Sequence, residues 1–247
     1  MIPRVIHYCW FGNHPLPNSA RKCIDSWKMY FPNYEIKQWD ESNFDVNMVT
    51  YTAEAYNAKK YAFVSDYARF WILYNYGGLY FDTDVEIIKD MRPIIERGAF
   101  IGFELNPLND QKREMRINPG IGLGAEAGHP FYKEMIALYE QMHWTSYKDS
   151  IGEMPTVVTY TTNMLKSKGL QYINEVQEVG GISIYPSEYF CPISISNGKL
   201  TITENTYSIH WFDQSWQSPI RKYGRKIVLL LGGVKLKNFL KRIVKLK

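Results

Sequence analysis

The stretch from Ala62 to Glu86 constrains the fold most, because a helical pattern changes there abruptly into a strand pattern. Aromatic and aliphatic residues recur at spacings of three and four, which predicts a helix with one apolar face. Gly77 and Gly78 end this helix, since a residue without a Cβ readily adopts the backbone conformation of a C-terminal cap. Leu79 to Phe81 then form a short buried strand, which ends at Asp82.

Two carboxylates follow this predicted strand. Asp82 and Asp84, separated by Thr83, lie at its carboxyl end, where open α/β sheets bind their ligands. Carboxylates so close together repel each other unless a cation lies between them. Mg²⁺ and Mn²⁺ take oxygen ligands and commonly bridge phosphates, so the pair favours a metal-bound nucleoside diphosphate. A solvated acidic turn is the alternative, and the bare D-x-D motif does not separate the two.

The helix carries a second pair of charges near its start. Asp66 and Arg69 are three residues apart, so they share one face of the helix. The planar guanidinium fork of arginine suits either a carboxylate or a phosphate. The alternative is an exposed ion pair, which is common at this spacing and contributes little to stability.

The order S-D-Y-A-R, followed by L-Y-x-x-G-G-L-Y-x-D-T-D-V-E, resembles the D-x-D glycosyltransferases of the bacterial capsular-polysaccharide type. That family includes fungal outer-chain mannosyltransferases and, more distantly, the catalytic domains of the large clostridial glucosylating toxins. The resemblance spans most of the first 220 residues. It implies a GT-A fold, which is a Rossmann-like α/β domain, and sugar transfer from a nucleoside-diphosphate sugar with retention of anomeric configuration.

The resemblance also implies roles for four residues as the catalytic set. Asp82 and Asp84 would hold Mn²⁺ or Mg²⁺ and the ribose or diphosphate of the donor. Asp66 would bind hydroxyl groups of the donor sugar, and Arg69 would reach the sugar or a phosphate.

Two further segments supply candidate substrate contacts. The W-F-G-x-x-P-L-P loop resembles the N-terminal signature of the family, in which an aromatic residue at the place of Trp10 stacks on the nucleotide base. Such a stack is worth about 1–3 kcal/mol, and the alternative for Trp10 is a core tryptophan. Small residues are dense from Asn118 to Ala125, which permits close approach of a backbone to a ligand. In relatives this segment lines the donor sugar, which makes Asn118 a candidate contact.

The H-W-x-x-x-S-W segment resembles the closing segment of the family, where a loop folds over the diphosphate. It implies that His210 contacts the metal or the diphosphate, and that Ser215 and Trp216 contact the pyrophosphate. The alternative is that His210 only ends a strand and Trp216 packs on the surface. His7, in the first strand, is predicted to be a hydrogen-bonded core histidine.

Charge divides the chain into a catalytic domain, residues 1–220, and a tail, residues 221–247. The tail contains ten Lys or Arg and no acid, whereas the domain has a net charge of −6 and no nucleic-acid-binding motif. Alternating apolar and basic residues predict an amphipathic tail that binds an anionic membrane surface; a helix packed on the domain is the alternative.

The opening residues contain no signal-like segment, and no apolar run is long enough to span a bilayer. We therefore predict a cytoplasmic protein, peripheral at the inner face of the cell membrane. Three widely spaced cysteines without a C-x-x-C pair indicate buried thiols rather than a disulfide framework or a zinc site.

These patterns and the resemblance together predict a metal-dependent retaining hexosyltransferase. Its acceptor would be a glycan or a lipid-linked glycan in capsule or other surface-polysaccharide synthesis. One alternative is a non-catalytic protein that binds a sugar nucleotide or a membrane. The other is a phosphatase of the haloacid-dehalogenase type, whose first motif resembles the sequence Tyr80–Val85, although the second acidic pair of those enzymes is missing downstream.

Overall fold

In the computed structural model, which describes residues 1–105, 116–144, 155–194 and 197–213, the chain forms nine strands and seven helices. The strands are β1 (Val5–Cys9), β2 (Glu35–Trp39), β3 (Gly78–Tyr80), β4 (Val85–Ile87), β5 (Phe100–Gly102), β6 (Leu123–Ala125), β7 (Gln177–Val179), β8 (Ile182–Tyr185) and β9 (Ser208–His210). The helices are α1 (Asn18–Tyr30), α2 (Thr50–Asn57), α3 (Tyr61–Tyr76), α4 (Arg92–Ile95), α5 (Pro130–Glu140), α6 (Val157–Ser167) and α7 (Ser187–Phe190).

Seven strands form one mixed sheet in the order β2-β1-β3-β6-β5-β8-β7. Strand β1 pairs in parallel with β2 on one side and with β3 on the other. The strand order therefore reverses at β1, and the carboxyl ends of β1 and β3 meet at one edge of the sheet. Open α/β sheets bind ligands in the crevice at such a reversal point.

Strand β6 runs antiparallel to both of its neighbours, β3 and β5. Strands β3 and β5 therefore point in the same direction. The carboxyl end of β5 lies at the same edge of the sheet as those of β1 and β3, which places the residues that follow all three strands on one side.

The residues after the D-x-D motif leave the main sheet. Strand β4 pairs antiparallel with β9 in a separate two-stranded sheet, in which Val85 lies opposite His210. This pairing brings the end of the described chain back to the D-x-D turn. The apolar residues Val85, Ile87 and Ile88 are typical of a strand, but the sequence does not indicate the change of sheet.

Helix α3 ends where the sequence predicted, and the two glycines that follow it are required by the backbone. Gly77 and Gly78 have φ values of +64° and +100°, a region that side chains rarely adopt. A Cβ at Gly78 would also lie 2.7 Å from the Val5 carbonyl oxygen, because β1 and β3 pair directly there. The glycine pair therefore allows α3 to return immediately into the sheet.

Buried side chains form two clusters, and helices contribute to both. One cluster contains apolar residues of α2, α3, α5 and α6, and the other contains residues of α1, α4 and α7. The predicted α/β class is confirmed by the mixed seven-stranded sheet and its helices. The three cysteines are buried and free, as predicted.

Part of the predicted site and the whole predicted tail lie outside the described residues. These are Ser215, Trp216 and the basic tail at 221–247, which all follow residue 213. The division into a domain and a tail stays a prediction. Within the described part of the chain, no helix is both long enough and apolar enough to span a bilayer.

Candidate active site

A cavity of about 500 Å³ opens at the sheet edge formed by the ends of β1 and β3. Its walls include seven of the nine residues that the sequence predicted for the site: Trp10, Asp66, Arg69, Asp82, Asp84, Asn118 and His210. The other two, Ser215 and Trp216, lie outside the described residues.

Arg69 joins helix α3 to the D-x-D turn. Its Nη2 atom lies 3.0 Å from Asp66 Oδ1 and 3.4 Å from Asp82 Oδ1. The side chains of Arg69 and Asp66 are only 4% and 10% exposed, so the alternative of an exposed surface pair is wrong. Arg69 Nε donates to the Ser65 carbonyl oxygen at 3.0 Å, which fixes the guanidinium.

This one guanidinium serves two carboxylates, of which Asp66 is buried and Asp82 is one-third exposed. Burial raises the pKa of Asp66 to about 7, because Arg69 offsets only part of the desolvation and Asp82 adds repulsion. Burial also raises the pKa of Asp82, again against the opposing effect of Arg69 and with repulsion from Asp84. The one guanidinium of Arg69 therefore does not fully compensate the desolvation of both carboxylates.

Backbone contacts hold Asp82 closely. Its backbone N–H donates to the Gly120 carbonyl oxygen at 2.9 Å, and the Tyr80 hydroxyl donates to Asp82 Oδ1 at 3.1 Å. A Cβ on Gly120 would lie 2.0 Å from Asp82 Oδ2. Glycine at 120 is therefore required by the position of the carboxylate.

Asp84 contacts residues at the end of β9 and just after it. Its Oδ2 accepts a hydrogen bond from the backbone N–H of Asp213 at 2.8 Å, and its Oδ1 lies 3.3 Å from His210 Nε2. Burial acts to raise the pKa of Asp84, but His210 and the Asp213 N–H outweigh it, so the pKa is lowered. Asp84 is therefore an ionised carboxylate.

His210 is buried beside that carboxylate. Burial acts to lower the pKa of His210, but Asp84 and the Cys191 thiol outweigh it, so the pKa is raised well above its ordinary value. His210 therefore carries a positive charge in this arrangement. A histidine must be neutral to bind a metal, so His210 would have to lose its proton before it could be a ligand.

The two carboxylates of the D-x-D turn suit a hard divalent cation. Asp82 and Asp84 line the cavity and offer oxygen ligands, and a cation between them would relieve the repulsion of the two carboxylates. Among the residues that the structure describes, no three His, Cys, Asp or Glu side chains form a group that could hold a metal ion. Further ligands would come from the donor phosphates or from water, as Mg²⁺ commonly requires.

Trp10 lies at the end of β1, on the cavity wall, and is only partly buried. Its Nε1 donates to the His14 carbonyl oxygen at 2.6 Å, and the Gly12 N–H of the same loop donates to Glu41 at 2.6 Å. Gly12 has a φ of +100°, and a Cβ there would lie 2.4 Å from the Tyr61 ring. The structure thus fixes the loop that carries Trp10 and leaves this indole at the cavity wall.

The Asn118 side chain forms two hydrogen bonds within the cavity wall. Its Oδ1 accepts from the Gly120 N–H at 2.7 Å, and its Nδ2 donates to Glu104 Oε1 at 3.3 Å. Asn118 therefore holds the turn that places Gly120 against Asp82. The same amide connects Asp82 indirectly to Glu104.

Sequence reasoning missed Glu104 and Arg116, which both line the cavity. Glu104 follows the apolar segment Phe100–Phe103, just as Asp82 follows Leu79–Phe81. A carboxylate after a buried strand was the signal that could have identified it. Thr156, at the start of α6, and the Lys59–Tyr61 segment also line the cavity and were not predicted.

Comparison with known proteins gives one family match and several distant relatives. Residues 17–101 match the family described as the glycosyltransferase sugar-binding region containing the DXD motif. Inositol phosphoceramide mannosyltransferase 1 of Schizosaccharomyces pombe is 27% identical over 160 residues, which cover 59% of this chain and 46% of that protein. Inositol phosphoceramide mannosyltransferase 3 of the same yeast is 28% identical over 151 residues, covering 55% of this chain and 36% of that protein.

The aligned part of the chain thus spans less than half the length of these two relatives. A solved glycosyltransferase involved in the glycosylation of the major capsid of PBCV-1 is 12% identical, with a TM-score of 0.49. That comparison covers 89% of this chain and 97% of the other. The match over residues 17–101 makes this part of the chain similar to the glycosyltransferase sugar-binding region that contains the DXD motif, and the D-x-D sequence of Asp82 and Asp84 lies within the matched range.

Proposed function

We propose that this chain is a metal-dependent hexosyltransferase that uses a nucleoside-diphosphate sugar. The observation that carries the proposal is the single cavity in which the D-x-D carboxylates meet the buried Asp66–Arg69 pair. A surface acidic turn would not be joined to a buried arginine. The family match over residues 17–101 supports the same conclusion.

The donor is proposed to lie along the sheet edge in the order of the strands. Trp10, after β1, would stack on the base, and Asp82 and Asp84, after β3, would bind the diphosphate through Mn²⁺ or Mg²⁺. The bound metal would stabilise the negative charge that develops on the leaving diphosphate. Asp66 would accept hydrogen bonds from the donor sugar, with Arg69 holding that carboxylate in place.

Arg69 supplies a fixed positive charge beside these carboxylates. Because its guanidinium is buried and bonded to Ser65 and Asp66, it needs no reorganisation when charge moves during the reaction. We propose retention of configuration on the strength of the family resemblance, with the acceptor attacking from the face that the diphosphate leaves.

The acceptor is proposed to be a glycan or a lipid-linked glycan, in capsule or other surface-polysaccharide synthesis. Two relatives are named as mannosyltransferases of a phosphoceramide, which makes mannose the first donor sugar to test and supports a lipid-linked acceptor. We further propose that the basic tail at 221–247 holds the enzyme at the inner face of the cell membrane.

The deciding experiment is a screen of UDP- and GDP-linked hexoses with Mn²⁺, in which release of the nucleoside diphosphate is measured. We expect turnover of at least one donor and faster release when an acceptor glycan is present. Binding of a donor without any turnover would favour the non-catalytic alternative. Hydrolysis of a simple phosphomonoester in place of the sugar nucleotides would favour the phosphatase alternative.

Vesicle sedimentation tests the role of the tail separately. Deleting residues from 225 onward is expected to preserve donor hydrolysis and to weaken binding to vesicles that contain anionic lipid. That binding should also fall as the salt concentration rises, because salt screens the attraction. Equal sedimentation with and without the tail would contradict the membrane proposal.

A further inference from the structure

Glu104 occupies the same position relative to β5 that Asp82 occupies relative to β3. Each carboxylate follows within two residues of the end of its strand, and the two strands point in the same direction because β6 runs antiparallel to both. Glu104 and Asp82 therefore reach the same edge of the sheet. Both line the cavity described above.

The Glu104 side chain is 8% exposed, so its burial has to be compensated by partners. Its Oε2 lies 2.8 Å from Arg116 Nε, and its Oε1 accepts from Asn118 Nδ2 at 3.3 Å. The backbone adds to this, because Glu104 N–H donates to the Arg116 carbonyl oxygen at 2.7 Å. Arg116 and Asn118 thus hold the carboxylate in one orientation.

A carboxylate has about four acceptor positions on its two oxygens. Oε2 is buried against Arg116, and Asn118 uses one position of Oε1, so the remaining position of Oε1 is the one that can accept a hydrogen bond from a ligand in the cavity. Hydroxyl groups donate such bonds, and a sugar presents several of them side by side. A fixed, buried carboxylate suits this chemistry better than it suits a phosphate, which carries the same sign of charge.

The strand order indicates which part of a donor Glu104 would meet. Along the edge the order is β1, β3, β6, β5, which places Trp10 on one side of Asp82 and Glu104 on the other. Neighbouring strands are about 4.8 Å apart, so Glu104 lies about 10 Å beyond β3. If the base lies at Trp10 and the diphosphate at Asp82, Glu104 lies at the sugar end.

We propose that Glu104, held by Arg116 and Asn118, binds hydroxyl groups of a sugar in this cavity and so determines which sugar the enzyme accepts. The inference rests on the proposed glycosyltransferase function and goes beyond it by naming a specificity residue. The sugar is either that of the donor or that of the acceptor, since both present the same hydroxyl chemistry. Hydrolysis of the donor without acceptor separates the two sources.

The test compares Glu104→Gln and Glu104→Ala with the wild-type chain. The probes are the hexose nucleotide that the wild type turns over in the UDP and GDP screen and the matching free nucleoside diphosphate. Glu134→Gln is the matched control, because Glu134 pairs with Lys168 at 2.7 Å but does not line the cavity. The glutamine variant keeps the shape of the side chain, so it guards against a loss caused by misfolding.

We expect both variants to lower kcat/KM by about tenfold or more, since a site built to bind a hydroxyl is left with an unmatched group. The inhibition constant of the free nucleoside diphosphate should stay within about twofold of the wild-type value. A general structural defect would weaken that inhibition as well. If the donor sugar is the ligand, hydrolysis without acceptor falls too. If the acceptor sugar is the ligand, only transfer falls.

Deoxygenated analogues of the same sugar give a second readout that a merely structural role would not move. The wild type should reject one deoxy analogue strongly, and Glu104→Ala should lose most of that discrimination. If the Glu104 variants match the wild type and Glu134→Gln in their kinetics and in their discrimination between sugar analogues, the inference is overturned. The proposed function would then still stand. A wild-type chain that turns over no donor would overturn the proposed function and the inference together.

Discussion

Arg69 Nη2 lies 3.4 Å from Asp82 Oδ1, which couples helix α3 to the turn that follows β3. The same guanidinium pairs with Asp66 at 3.0 Å, so one buried cation holds two carboxylates from different parts of the chain. This arrangement makes the site and the fold depend on one side chain. Its removal should affect both stability and activity.

We predict that Arg69→Ala lowers the free energy of unfolding by about 3 kcal/mol, because it leaves the buried Asp66 carboxylate without its cation. Donor turnover should be abolished as well. Urea denaturation and donor hydrolysis measure the two effects. Arg92→Ala is the matched control, since Arg92 pairs with Asp90 on the surface and its loss should leave the stability nearly unchanged. Equal stability of the two variants would contradict the account.

Trp10 is expected to contribute to donor affinity through stacking. Replacement by alanine should raise the KM for the donor about tenfold or more, because one stack of about 1–3 kcal/mol is lost. Trp10→Phe should recover part of the affinity. Tyr76→Ala, which removes an exposed aromatic side chain before the start of β3, should leave the KM unchanged. An unchanged KM in Trp10→Ala would show that this residue serves packing alone.

Gly120→Ala should disable the site by moving Asp82. The added Cβ would lie 2.0 Å from Asp82 Oδ2, so the carboxylate has to shift. We expect donor turnover to fall by at least about tenfold, as small displacements at a catalytic group commonly cause. In Gly98→Ala, by contrast, the new Cβ meets nothing within 4 Å, and only backbone strain at φ +99° remains. That variant should lose about 1 kcal/mol of stability and keep its KM.

Helix α3, its glycine stop and the D-x-D turn could be predicted from the sequence because they depend on neighbours along the chain. The apolar spacing of α3 and the need for positive φ at Gly77 are both local signals. The second partner of Arg69 could not be predicted, since it depends on how α3 packs over β3. The contact between Gly120 and Asp82 depends in the same way on an antiparallel pairing that no local pattern encodes.

The return of His210 to Asp84 shows the same limit. The family resemblance indicated His210, and the structure brings it beside Asp84 through the pairing of β4 with β9. Its raised pKa depends on contacts with Asp84 and Cys191, which the folded chain creates and the local sequence does not indicate. Glu104 was missed because its partners Arg116 and Asn118 lie in another segment of the chain, which only the fold brings beside it.

His7 should make the stability depend on pH. Trp39 Nε1 donates to its Nδ1 at 3.1 Å, so Nε2 carries the proton and donates to the Gly77 carbonyl oxygen at 3.0 Å. Both ring nitrogens are thus satisfied in the neutral form, and a second proton would face the Trp39 N–H. Burial, the largest effect, and the charge of Lys37 lower the pKa of His7 from 6.5 to about 4.

A lowered histidine pKa means that the unfolded chain binds a proton more readily than the folded one. The stability contributed by neutral His7 is therefore complete above pH 6.5 and is lost as the pH falls towards 4, by about 3 kcal/mol in all. Urea denaturation between pH 4 and 7 measures this slope. His7→Gln, which cannot titrate, should show a shallower slope over the same range. Identical slopes for the two chains would contradict the assignment.

The central claim is that Asp82 and Asp84 act through a divalent cation on a nucleoside-diphosphate sugar. The most direct measurement is release of nucleoside diphosphate by the wild type and by Asp84→Asn, with Mn²⁺ and with a chelator. Asp90→Asn, at an exposed aspartate outside the cavity, is the control. We predict that the chelator abolishes wild-type turnover, that Mn²⁺ restores it, and that Asp84→Asn folds normally but neither turns over donor nor gains nucleotide affinity with Mn²⁺. Full turnover in the chelator, or in Asp84→Asn, would contradict the claim.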